Sequence, residues 1–99
     1  MNSKIKDEAI DKLFEAILTL KNVEECYAFF EDVCTVNEIK ALAQRLEVAK
    51  MLEEKMTYQE IQQETHASTA TISRVNRCLS YGSGGYKLIL QRIGNKRTE

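Results

Sequence analysis

Residues 57–79 read TYQEIQQETHASTATISRVNRCL, and this segment decides the fold. Two short helices joined by a turn of three or four residues cross at a wide angle, and their contact demands apolar side chains at set places. Ile61 fills the place in the first helix, Ala67 in the turn, and Ile72 and Val75 in the second. Thr57 and Glu60 have capping-box spacing, which predicts a helix from Tyr58 to about Thr65. A second helix starts after Ser68 and ends near Leu79. His66 stands in the turn where glycine is common, and histidine tolerates a positive φ better than most residues. Gln62 occupies a position just inside the first helix that is usually small, so it must lean outward.

With Ile72 and Val75 turned inward, the outer face of the second helix carries Ser68, Thr69, Ala70, Ser73, Arg74 and Arg77. Its first turn is short, polar and free of acid. Such a surface suits insertion into a major groove walled by phosphates. The spacing therefore predicts a helix-turn-helix over about 58–79 that faces double-stranded DNA.

Outward from this motif, everything reads as helix. Ile10, Leu13, Phe14, Ile17 and Leu18 recur at intervals of three and four, predicting an amphipathic helix over about 4–20. Asn22 caps a second helix at about 23–34, with Val23, Cys26, Tyr27, Phe30, Val33 and Cys34 as its apolar side. Thr35 and Glu38 repeat the capping-box spacing, and Ile39, Leu42, Ala43, Leu46, Ala49 and Leu52 carry a third helix to about Lys55. Three glycines in four residues require a loop over Tyr81–Gly85, Tyr86–Ile93 form a last short helix, and residues 94–99 are expected to be a flexible tail. The expectation is one all-α domain over residues 1–93.

Composition narrows the function classes. A chain with 43% hydrophobic and 29% charged residues is too apolar to remain disordered. No apolar run approaches the roughly 18 residues that cross a bilayer, and MNSKIKDE lacks the apolar stretch of a secretory signal, so a cytoplasmic protein without a membrane partner is expected. Cys26, Cys34 and Cys78 match no metal or redox spacing and are expected as reduced thiols, the first two as small hydrophobes, with no metal and no cofactor. The net charge of −1 hides a segregation. Residues 1–56 hold eight Lys and Arg against twelve Asp and Glu, whereas residues 57–99 hold six against three. One half is suited to a polyanion, with Arg74, Arg77, Lys87 and Arg92 the leading phosphate contacts. The large apolar residues of the first helices, Phe14, Tyr27, Phe29 and Phe30, also predict closure against a second copy.

Three motifs then carry a family resemblance: T-x-x-E-x-x-A-L-x-x-R at Thr35–Arg45, M-T-x-x-E-I at Met56–Ile61, and A-T-I-S-R at Ala70–Arg74. From Thr35 to Leu79 the chain resembles the Trp repressor superfamily, in particular its Trp-repressor-like (YerC/YecD) subgroup. The resemblance implies a six-helix, intertwined homodimer that represses transcription. It also aligns Gln59 with an arginine that reaches DNA in the family; glutamine pairs well with adenine where arginine favours guanine, so a different operator is expected.

By the same resemblance an effector pocket would involve Thr35, Arg45, Arg74, Val75 and Cys78. Thr35, Arg45 and Arg74 match the family's threonine and two arginines. Val75 replaces the glycine that makes room for tryptophan's indole, and Cys78 replaces a serine. An isopropyl group there fills the space, so regulation without tryptophan is expected, with an effector of another kind left open. For Arg45 a surface ion pair, and for Arg74 a phosphate contact, are the expected roles.

Catalysis is not expected: His66 is the only histidine, and no nucleophile–base pair, carboxylate dyad or phosphate loop accompanies it. The more serious alternative is a helical adaptor that uses the same motif to hold a partner protein. Retention on heparin at low salt separates the two, because an adaptor elutes early.

Overall fold

A computed structural model describes residues 3–97. The described residues form six α-helices and no strand: α1 (Glu8–Ile17), α2 (Val23–Val33), α3 (Val36–Glu53), α4 (Tyr58–Thr65), α5 (Thr69–Tyr81) and α6 (Gly85–Arg97). No helix among them is long and apolar enough to cross a membrane. They fall into two compact units, one ending at Val36 and the other beginning at Asn37.

In the first unit, side chains that bond to the local backbone set the helix ends. Asp7 caps α1 by accepting the Ile10 N–H at 2.8 Å, and its extended backbone leaves residues 4–7 outside the helix that the periodicity predicted. Beyond Leu18, the N–H groups of Thr19 and Leu20 reach carbonyls only three residues back, and the Thr19 hydroxyl donates to Ala16 at 2.6 Å. That tightening ends α1 before Leu20. Asn22 caps α2 through the Glu25 N–H at 2.8 Å, while the Glu25 carboxylate accepts the Lys21 N–H at 3.0 Å. Phe29 and Phe30 meet edge to face, with ring centroids 5.3 Å apart.

No residue of α1 or α2 is buried. Leu13, Phe14, Leu18, Val23, Tyr27 and Val33 are all exposed. Cys26, expected as a small hydrophobe on the apolar side of α2, is exposed; Cys34 is half-buried, and all three thiols are free.

The second unit holds the core: Val48 and Ala49 of α3, Ile61 of α4, Ala67 of the turn, and Ile72 and Val75 of α5. Met51, Leu52, Met56, Tyr58, Leu79, Tyr86 and Leu90 pack around it. Helix α3 ends in a Schellman motif, in which the Met56 N–H reaches the Met51 carbonyl at 3.1 Å and the Lys55 N–H reaches Leu52 at 3.0 Å. The motif needs a left-handed residue, and the chain supplies Lys55 at φ 66 where glycine is usual. Lys55→Gly should therefore stabilise the fold by about 0.5–1 kcal/mol, since the relief of a left-handed side chain outweighs the extra unfolded-state entropy of glycine. A melting temperature a few degrees higher checks this, and an unchanged or lower one contradicts it.

Gly82 caps α5 with its N–H on the Cys78 carbonyl at 2.9 Å, where a Cβ would lie 2.4 Å from that oxygen, and Gly84 turns the chain at φ +84. Helix α6 then continues to Arg97, past the Ile93 at which it was expected to end; residues 98–99 lie outside the described residues. A single interior glycine, Gly94, lowers helix stability by only about 1 kcal/mol and does not end it.

Candidate nucleic-acid interface

Helix α4 begins with a complete capping box. The Thr57 hydroxyl accepts the Glu60 N–H at 3.1 Å, and the Glu60 carboxylate accepts the Thr57 N–H at 2.8 Å. The Thr57 backbone N–H, and secondarily its hydroxyl, hold the Glu60 carboxyl below the ordinary carboxylate range. The helical register then turns Ile61 into the core and leaves Gln59 exposed in the first turn. Gln62 leans only partly outward and is half-buried.

His66 closes α4 in the left-handed region, at φ 61, with its N–H on the Gln62 carbonyl at 2.8 Å. The role expected of a turn glycine is thus filled by histidine. One residue on, Ala67 is buried, and the smallest side chain with a Cβ lets the two helices close on one another. Ser68 caps α5, its hydroxyl accepting the Thr71 N–H at 3.1 Å and donating to the Thr71 hydroxyl at 3.1 Å. Among the residues expected to face DNA, Ser68 therefore also has a structural task.

Ile72 and Val75 are buried on one side of α5, and the opposite side is open. Thr69, Ala70, Ser73, Arg74 and Arg77 are all exposed, and the first turn holds no acidic residue. Among the described residues, neither arginine forms a salt bridge, so both guanidinium groups are available to an anion. Lys87 and Arg92 of α6 are exposed as well.

Sequence reasoning missed two features. Tyr81 belongs to α5, is 87% exposed, and follows Ala70, Arg74 and Arg77 at helical spacing, which puts it in the same stripe. On sequence alone Tyr81 falls in the loop after a helix ending near Leu79, so its place in this stripe could not be read. The other is Thr65, whose hydroxyl donates to the Ile61 carbonyl at 2.8 Å and accepts the Ala67 N–H at 3.2 Å.

The residues of the expected effector pocket differ in burial. Val75 is 1% exposed and belongs to the buried cluster, whereas Arg74 and Cys78 are exposed. Arg45 is half-buried on α3 and forms no salt bridge with another described residue, which corrects the ion pair expected for it. Thr35 is exposed in the first unit, immediately before α3. A cleft of about 250 Å³ opens between the end of α3 and α6, lined by Lys50, Glu53, Glu54, Leu90, Ile93 and Gly94. None of the expected pocket residues lines it. Among the described residues no cluster of His, Cys, Asp and Glu side chains could hold a metal ion.

Comparison with known proteins agrees with this arrangement of helices. The sequence profile of the Trp repressor protein family matches residues 8–94. YerC of Bacillus subtilis, an uncharacterized protein, is 57% identical over 96 residues, covering 97% of this chain and 92% of its own. The crystal structure of a candidate Trp repressor from Staphylococcus aureus superposes with a TM-score of 0.88 at 58% identity, covering 92% of this chain and 91% of that one. A TrpR like protein from Eubacterium eligens gives 0.89 at 59% identity, covering 94% and 96%. On a profile that spans most of the chain, and on relatives more than half identical over nearly all of it, the protein belongs to the Trp repressor protein family.

Proposed function

We propose that the protein is a cytoplasmic transcription regulator, a repressor, that binds a double-stranded DNA operator as a homodimer and does so without tryptophan. The observation that carries the reading is α5. Its inner face is fully packed, its outer face presents Thr69, Ala70, Ser73, Arg74 and Arg77, and its first turn is free of acid. Thr69, Ala70, Ser73 and Gln59 read base edges, while Arg74 and Arg77, aided by Lys87 and Arg92, hold phosphates and set the register.

Selection of bound duplexes from a random library tests the reading. Arg77→Ala should weaken all selected sequences alike, whereas Thr69→Ala or Gln59→Ala should change which sequence is preferred. Equal effects of all three on every duplex would contradict these roles.

The homodimer rests on the first unit, where α1 and α2 contain no fully buried residue and Phe14, Leu18, Val23 and Tyr27 stay in solvent. Exposed large apolar side chains in such number mark interaction surfaces in soluble proteins, and a second copy of the chain would cover them. Sedimentation at micromolar concentration should give about twice the 11.4 kDa chain mass. The selected duplexes should then be near-palindromes with half-sites about one DNA turn, roughly 34 Å, apart. A clean monomer would overturn the dimer and the palindrome together.

A further inference from the structure

The turn between α4 and α5 is held from outside the motif. The Gln44 side chain, half-buried on α3, donates from Nε2 to the Thr65 carbonyl at 3.1 Å. Thr65 is the last residue of α4, and its hydroxyl joins both sides of the turn, donating to Ile61 at 2.8 Å and accepting the Ala67 N–H at 3.2 Å. Ala67 is buried, and Ser68, the cap of α5, follows it directly. One side chain of α3 is thus connected through Thr65 to the residue that leads into α5.

The end of a helix leaves carbonyls without partners inside the helix, and the left-handed His66 answers only one of them. Without a donor from α3, the Thr65 carbonyl would turn to water, and the turn would be held only by its own short-range bonds. Because α5 begins four residues later, a small rotation at Thr65 swings the whole exposed face of Thr69, Ser73 and Arg77. Base recognition tolerates little of that motion, since a bidentate contact needs both donors within hydrogen-bond reach at once.

We propose that Gln44 is a positioning residue for DNA recognition, which sets the direction of α5 by fixing the α4–α5 turn through Thr65. Its consequence for DNA rests on the regulator reading above, but its consequence for the turn does not. Gln44 lies 21 residues before Thr65 and outside the motif it orients.

The test uses the full chain and Gln44→Met, which keeps the length of the side chain and removes the donor. Amide hydrogen exchange on the protein alone should show His66 and Ala67 exchanging about 3- to 10-fold faster, the range expected for one net hydrogen bond, with Ile72 and Val75 unchanged. Affinity for a selected duplex should fall by a similar factor or more. Its salt slope should stay the same, because no phosphate contact is lost. Thr65→Val, which removes the hydroxyl and keeps the shape, should accelerate the same two amides.

A contact that merely stabilised the fold would raise exchange at Ile72 and Val75 together with the turn, and that result would overturn the proposal. So would turn amides that exchange at the wild-type rate. If the unmodified protein bound no duplex at all, the regulator reading would fail, while the exchange experiment would still decide what Gln44 does.

Discussion

Raising the salt concentration from 50 to 200 mM should lower operator affinity about a thousandfold. Each phosphate neutralised by a lysine or arginine releases condensed counterions, so the logarithm of the binding constant falls with the logarithm of salt by about 0.9 per contact. Arg74, Arg77, Lys87 and Arg92 are exposed, and about six contacts per dimer among them imply a slope of roughly −5. The basic residues concentrate where the slope requires them, six against three acidic residues over residues 57–99, despite a net charge of −1 for the chain. Fluorescence anisotropy of a labelled duplex across that salt range measures the slope directly. A slope near zero would mean that the basic half meets no phosphates, and would favour an adaptor that holds a protein.

Val75→Gly should destabilise the fold by about 3 kcal/mol, from the lost packing of a buried isopropyl group and the poorer helix propensity of glycine. For a chain of 99 residues that corresponds to a melting temperature lower by roughly 12–24 °C. The size of the effect follows from burial, because Val75 is 1% exposed and shares its cluster with Ile61 and Ile72. The same burial predicts the response to tryptophan. The unmodified protein already fills this place from within, so millimolar L-tryptophan should leave both melting temperature and operator affinity where they are. A ligand present at about 100 times its dissociation constant would add about 2.7 kcal/mol and could not be missed. A marked rise in melting temperature with tryptophan would show that Val75 yields to a ligand. In the Val75→Gly variant, a gain of tryptophan binding would show that this one side chain closes the site.

How much of this could be read from the chain depends on the range of the interaction concerned. The helix-turn-helix was legible because its determinants are local. Ile61, Ala67, Ile72 and Val75 lie where helical spacing sends them to one side, and all four are buried. Thr57 and Glu60 announce the start of α4 through a bond spanning three residues, and His66 takes the left-handed conformation expected of it. Where local signals compete, periodicity overestimated. Apolar spacing favoured helix from residue 4 to residue 20, but Asp7 and Thr19 bond to nearby backbone groups and shorten α1 at both ends. At the other end of the chain, glycine content was overweighted, and α6 continues through Gly94.

By itself, then, the sequence determined the order of six helices, the inward set of the motif and the acid-free outward face of α5. Each follows from rules that act within about one helical turn. Only the tertiary structure decided the rest. It shows that Cys26 is exposed, that Arg45 stands half-buried without an ion pair among the described residues, and that α1 and α2 hold no fully buried residue. It also joins Gln44 to Thr65, two polar residues whose types carry no sign of the partnership. The reason is that burial and long-range hydrogen bonds are properties of pairs of elements. A single helix specifies which side is apolar, whereas what covers that side depends on chain that folds against it from many residues away.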